Sequence, residues 1–173
     1  MNLLAGFKKV TTFVFDVDGV LTDGTVLLLR DGLQARQMHI RDGLALQMAL
    51  RNGYRVVILS GAYSEPVVKR MQYLGIAEIY TAVKNKKQFL SEYLEENHLS
   101  LNEVLFMGDD LPDVETLKAV GLSCCPQDAA VEVKAVSQYI SHIKGGYGCV
   151  RDVIEKVLRL NDHWNFDTEV AAK

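Results

Sequence analysis

The chain has 173 residues, 49% of them hydrophobic and 24% charged, with a formal net charge of −3. That length suits one domain with a sizeable core, and the composition excludes a disordered chain. The absence of a basic run excludes an extended nucleic-acid surface, and no apolar stretch is long enough to cross a bilayer. Met1 to Lys9 lacks the apolar region of a signal peptide and runs quickly into the first strand, so a cytoplasmic location is expected. The three cysteines, Cys124, Cys125 and Cys149, have no metal-ligand spacing and read as small core residues in a reducing compartment.

In chain order, Val10 to Phe15 is an apolar, β-branched and aromatic run, predicting a buried strand that ends at Asp16-Val17-Asp18-Gly19. Residues two apart on extended backbone share a face, so Asp16 and Asp18 can enter one pocket, where they repel unless a proton or cation intervenes. Solvated acids in a plain loop are the bland alternative. Thr25 to Leu29 and Gln34 to Ile40 predict a hairpin around an Asp31-Gly32 turn. Its leucines lack an obvious intramolecular cover. That predicts a subunit interface, the alternative being a hairpin folded onto its own domain. Arg41-Asp42-Gly43 opens a helix over Leu44 to Arg51 that stops at Asn52-Gly53.

Tyr54 to Leu59 predicts a second strand, ending in Ser60-Gly61. Ser64-Glu65-Pro66 starts a helix carrying Val67, Met71 and Leu74, which Gly75 closes. A short strand within Ile76 to Val83 leads to a helix opening at Lys84-Asn85-Lys86-Lys87, where lysines oppose the helix dipole and call for an anionic partner. Glu103 to Met107 predicts a further strand, followed by Gly108-Asp109-Asp110-Leu111-Pro112-Asp113 and a helix through Val114, Leu117 and Val120. Leu122 to Cys125 and Tyr139 to Ile143 read as strands, Ala129 to Val136 as a weak helix, and Gly145-Gly146-Tyr147-Gly148 as a flexible loop. Val150 to Leu158 is amphipathic, and Asn161 to Lys173 reads as a loosely held polar tail after a domain of residues 1–160.

Alternating strands and helices predict an α/β, Rossmann-like parallel sheet with helices on both faces and a β-hairpin after the first strand. In such a sheet the strand ends meet along one edge, so Asp16, Asp18, Ser60, Lys86 and Asp109 converge. Carboxylates beside a lysine and a hydroxyl suit a hard cation, Mg²⁺ foremost, and a phosphoryl group; a carboxylate can also serve as nucleophile.

These residues, in this order, resemble the motifs of the haloacid dehalogenase-like phosphatases. Asp16 to Gly24 resembles the first motif, Ser60 and Lys86 the next two, and Gly108 to Asp113 the last. The interval between Gly24 and Ser60 has room for a hairpin and one helix but no cap domain. This is similar to the capless subgroup containing the 3-deoxy-D-manno-octulosonate 8-phosphate (KDO 8-phosphate) phosphatases, as are Arg41-Asp42-Gly43 and the Gly145 to Arg151 segment.

The resemblance implies roles. Asp16 is nucleophile and metal ligand. Asp18 is general acid then base, and binds metal through its backbone carbonyl. Ser60 and Lys86 bind the phosphoryl group, Asp109 completes the metal ligands, and Asp110 and Asp113 support the metal or Lys86, with a helix-cap role for Asp113 as the alternative. Gly61 and Arg151 are implied substrate contacts, in a homotetramer whose hairpins pack together. The implied reaction is hydrolysis of a phosphorylated keto-sugar acid. KDO 8-phosphate comes first and a nine-carbon keto-acid phosphate (KDN or sialic acid 9-phosphate) second. A phosphotransferase or mutase, or a non-catalytic oligomeric binding module, are the other readings. One departure stands out: the subgroup often carries arginine after the second motif's glycine, where this chain has Ala62. Arg151, Lys69 and Arg70 are the replacements the sequence offers for that charge.

Overall fold

A computed structural model describes residues 2–30 and 32–165. Asp31 of the expected turn and the tail from Phe166 onward lie outside the described residues. The chain opens with helix α1 (Leu3–Lys9), where a lead-in to the first strand was expected. The Asn2 side chain caps it by accepting from the Leu4 N–H, and Phe7 anchors it with its ring against the edge of Tyr139 at 5.2 Å. Strand β1 (Thr12–Phe15) follows, shorter than the expected run because Val10 ends α1.

The hairpin is present but pared to β2 (Leu27–Leu28) and β3 (Gln34–Ala35), paired antiparallel. Ile40 belongs to helix α2 (Ile40–Arg51) and not to a return strand. Then come β4 (Arg55–Leu59), α3 (Glu65–Tyr73), β5 (Glu78–Tyr80) and α4 (Lys86–Glu96). They are followed by β6 (Val104–Met107), a short α5 (Val114–Leu117), β7 (Leu122–Cys125), α6 (Val131–Val136), β8 (Tyr139–Ile140) and α7 (Cys149–Leu160).

The main sheet has six strands in the order β5-β4-β1-β6-β7-β8, every neighbouring pair parallel. Alternation along β1 divides the core in two. Phe13 and Phe15 join Phe7, Leu46, Met71 and Ile154 from α1, α2, α3 and α7 on one face. Val14 joins Leu90, Leu117 and Val133 from α4, α5 and α6 on the other. This is the expected doubly covered α/β sheet, and between β1 and β4 the chain inserts only the hairpin and α2, leaving no cap. The order reverses at β1: the chain winds outward to β5, then returns to β6 on the opposite side. Such a switch point opens a crevice at the carboxyl ends of the strands.

The described start of the tail is held, not loose. Trp164 is buried in the first core face, between the guanidinium groups of Arg151 and Arg159 at 5.3 and 5.7 Å from its ring, and His163 Nδ1 lies 2.9 Å from the Tyr54 hydroxyl.

Candidate active site

At the crevice, β1 delivers Asp16 directly from its last residue, Phe15. The Asp16 carboxylate accepts from the Val17 N–H at 2.7 Å, which fixes it as the chain turns through Val17–Leu21. Gly19 makes that turn possible: its φ is +80°, and a Cβ there would collide with the Asp109 carboxylate. Gly145 packs against the same turn so closely that a Cβ would strike the Gly19 carbonyl, while the Gly146 N–H donates to Val20 O at 2.9 Å. The glycine-rich segment is thus a backing plate for the Asp16–Gly19 turn and not a free loop.

Ser60 directly follows β4, buried, with its Oγ accepting from the Ala62 N–H at 3.2 Å and its hydroxyl hydrogen left to donate. Lys86 opens α4 and is buried, its ammonium 2.7 Å from Asp16 Oδ2 and 2.7 Å from Asp113 Oδ1. The anionic reason for a lysine at this helix start is therefore a pair of carboxylates. Asp113 also accepts at Oδ2 from the backbone N–H of Asp109 (3.0 Å) and of Asp110 (3.4 Å), in a reciprocal cap with Asp110. The two readings of Asp113, support for Lys86 and helix capping, are both satisfied by its two oxygens. Asp110 itself caps the turn by accepting from the Leu111 N–H at 2.8 Å.

Asp16, Asp18, Ser60, Gly61, Lys86, Asp109, Asp110 and Asp113 line one cavity of about 420 Å³. Carboxylate oxygens of Asp16, Asp109 and Asp113 lie within 4.8 Å of one another. Burial, with repulsion from Asp113, pushes the Asp16 carboxyl above the usual range against the pull of Lys86. Burial and the neighbouring carboxylates raise Asp109 to about 7. Burial opposes the Lys86 charge, but Asp16 and Asp113 outweigh it and hold its pKa above the ordinary lysine value. The crevice carries more buried negative charge than one lysine neutralises, all of it on hard oxygen donors. A divalent cation fits that deficit.

Residues 71–145 match the model of the haloacid dehalogenase-like hydrolase family. The KDO 8-phosphate phosphatase KdsC of Salmonella typhi is 33% identical over 157 residues, 91% of this chain and 84% of that protein. A crystal structure of KDO 8-phosphate phosphatase from Yersinia pestis superposes with a TM-score of 0.90 at 28% identity, covering 93% of this chain and 87% of that one. The enzyme of that name from Moraxella catarrhalis, solved with magnesium, phosphate and KDO, gives a TM-score of 0.90 at 30% identity over 93% of both chains. The chain belongs to the haloacid dehalogenase-like hydrolases. It is a capless phosphatase of that family, the type its relatives represent.

In this hydrolase the first-motif turn, Ser60, Lys86 and the last-motif acids come together as expected. Arg151 does not join them. It lines a separate cleft of about 430 Å³ with His39, Arg41 and Tyr147, and its guanidinium pairs with Glu155 at 3.1 Å. The other charged groups of that cleft are also largely paired, Lys156 to Asp152 and Arg159 to Glu155. The residue that sequence reading missed is Arg36, just past β3. Its Nε donates to Asp18 Oδ1 at 2.6 Å and its Nη2 reaches Asp18 Oδ2 at 3.4 Å. No strand end or motif marks Arg36; only the fold of the hairpin brings it to the site.

Proposed function

We propose that this protein is a Mg²⁺-dependent phosphatase of a keto-sugar-acid phosphate, KDO 8-phosphate first, working through an aspartyl-phosphate on Asp16. The observation that carries this is the buried Asp16–Lys86 pair at the carboxyl end of β1, within one cavity with Ser60, Asp18 and Asp109. Asp16, Asp109 and the Asp18 backbone carbonyl would hold the cation, and when bound it supplies positive charge that relieves the carboxylate repulsion and screens the incoming phosphate.

Asp16 attacks phosphorus as the ester bond to the sugar oxygen breaks, and Asp18 gives its proton to the departing oxygen. Water then attacks the aspartyl-phosphate while Asp18 takes a proton from it, so Asp16 is released as the carboxylate and Asp18 is reprotonated. Lys86 neutralises the phosphoryl oxygens in both steps, and the Ser60 hydroxyl donates to one of them. The backbone at Gly61 lines the mouth where the substrate enters.

The relatives' names favour KDO 8-phosphate, and Ala62 favours a broader range that includes nine-carbon keto-acid phosphates. Leu27 and Leu28, 65% and 72% exposed in the hairpin, support a homotetramer joined through the hairpin. Three buried free cysteines accord with a cytoplasmic setting. The test is phosphate release with Mg²⁺ across eight- and nine-carbon keto-acid phosphates and simple hexose phosphates. The reading expects the keto-acid phosphates to lead in kcat/KM; hexose phosphates in the lead would overturn the substrate class.

A further inference from the structure

We infer that Arg36 is a positioning residue for the reaction, fixing the Asp18 carboxylate from the hairpin; this rests on the reading of Asp18 as acid and base. The Arg36 side chain is only 7% exposed although the hairpin around it is open to solvent, so it is turned inward. Its two contacts with Asp18 differ. Oδ1 is gripped at 2.6 Å by Nε, whereas Oδ2 meets Nη2 at the long distance of 3.4 Å. Asp18 is itself 36% exposed at the side chain, and none of the hydrogen bonds among the described residues other than those from Arg36 holds its carboxylate. Without that grip its two side-chain torsions are open to water. With it, Oδ1 is anchored at 2.6 Å, while Oδ2 is held only at the longer 3.4 Å.

Arg36, Ala62, Ser60 and Asp18 line one small recess. Ala62 contributes only a methyl to this recess, and the hairpin arginine lines it beside Asp18. The site thus has a cation on the Asp18 side, opposite in role to Lys86, which serves Asp16 and Asp113. The hairpin therefore has a second task besides its apolar outer face. Any shift of β3 moves the group that orients the proton-transfer carboxylate.

The test measures first-turnover release of the leaving group, with enzyme in excess, for wild type, Arg36→Ala, Arg36→Lys and Asp18→Asn. Two probes are compared: p-nitrophenyl phosphate, whose phenolate departs without a proton, and the alkyl phosphate that the wild type hydrolyses fastest. General acid catalysis contributes about 10²- to 10⁴-fold, so misplacing the acid should cost roughly 10- to 100-fold on the alkyl phosphate and several-fold less on the aryl one. We expect Arg36→Ala to show that split with KM, measured separately at steady state, little changed, Arg36→Lys to restore part of it, and Asp18→Asn to show it more strongly. Equal losses on both probes would make Arg36 merely structural. A loss confined to KM would make it a substrate contact. Either result overturns the inference. If Asp18→Asn shows no dependence on the leaving group, the acid role of Asp18 fails first; if it does and Arg36→Ala does not, only the role of Arg36 fails.

Discussion

Lys86 and Asp16 meet at 2.7 Å with side chains 4% and 10% exposed, so each is the other's principal substitute for water. Removing one partner of a buried pair strands the other charge, at a cost of about 3–5 kcal/mol. Here Lys86 serves two carboxylates, Asp16 and Asp113, so the full cost is expected. Lys86→Ala should lower unfolding stability by ~3–5 kcal/mol at pH 8 and abolish measurable turnover. Chemical denaturation and phosphate release check both. Wild-type stability would show that the pair is not the anchor of the site.

Asp113 holds two backbone N–H groups, those of Asp109 and Asp110, as well as Lys86. Asp113→Asn keeps a hydrogen-bonding shape but weakens the grip on the ammonium and on the Asp109 and Asp110 amides. Charge-assisted bonds of this kind contribute about 1.5–3 kcal/mol, so we expect kcat to fall roughly tenfold or more with a lower Tm. An unchanged kcat would assign Asp113 to the helix cap alone.

Gly145 tests the backing plate. Gly145→Ala places a methyl against the Gly19 carbonyl and must push back the turn that carries Asp18. The residue lies outside the catalytic cavity's lining. We expect a folded protein by circular dichroism whose kcat falls at least tenfold, an estimate that follows from the sensitivity of rate to about 1 Å of misplacement. Full activity would show that the loop moves freely.

Asp42 gives a pH prediction away from the crevice. It sits in α2, buried, with Oδ1 accepting from the Arg151 N–H at 2.7 Å and Oδ2 without a partner, in a small recess it shares with His39 and Arg70. Burial raises its pKa from 3.8 to about 6. The folded protein therefore binds a proton between about pH 4 and pH 6 that the unfolded chain does not. Its contribution to stability is greatest below about pH 4 and is lost as pH rises through about 6. Asp42→Asn removes this dependence. The stability of the variant relative to wild type should be higher at pH 8 than at pH 4.5 by ~2–3 kcal/mol. A difference independent of pH would show that Asp42 titrates normally.

Much of this site is legible in the sequence. Asp16, Ser60 and Asp109 each follow an apolar strand, and a parallel sheet gathers such strand ends on one edge. Lys86 was legible because a lysine at a helix start needs an anion. What was missed depends on packing between distant segments. Helix α1 is seven residues long with two exposed leucines, too short for a periodic signal. Trp164 reads, with Phe166, as one of two aromatics in a polar tail until α7 supplies the two guanidinium groups around Trp164. Arg36 looks like a surface charge on a weak strand, and its partner is 18 residues away in sequence. Arg151 follows glycines that read in the sequence as a flexible loop, yet those glycines are committed to packing on the Asp16–Gly19 turn.

The hairpin makes a physical claim on assembly. Val26, Leu27, Leu28, Leu29 and Leu33 are all exposed in the single chain. Leu27→Glu with Leu28→Glu should dissociate the proposed oligomer in sedimentation or light scattering. Because β3 also carries Arg36 toward Asp18, activity should fall with dissociation. A wild-type protein that is an active monomer would rule out this assembly.

The account stands or falls on Asp16 as the nucleophile, and the most direct measurement is turnover by Asp16→Asn beside its unfolding curve. The neutral amide fits the same space but cannot displace the ester oxygen from phosphorus. The account predicts a cooperative unfolding transition and a kcat reduced by about 10⁴-fold or more, equivalent to ~5 kcal/mol of barrier. A folded Asp16→Asn enzyme turning over within tenfold of wild type would contradict it.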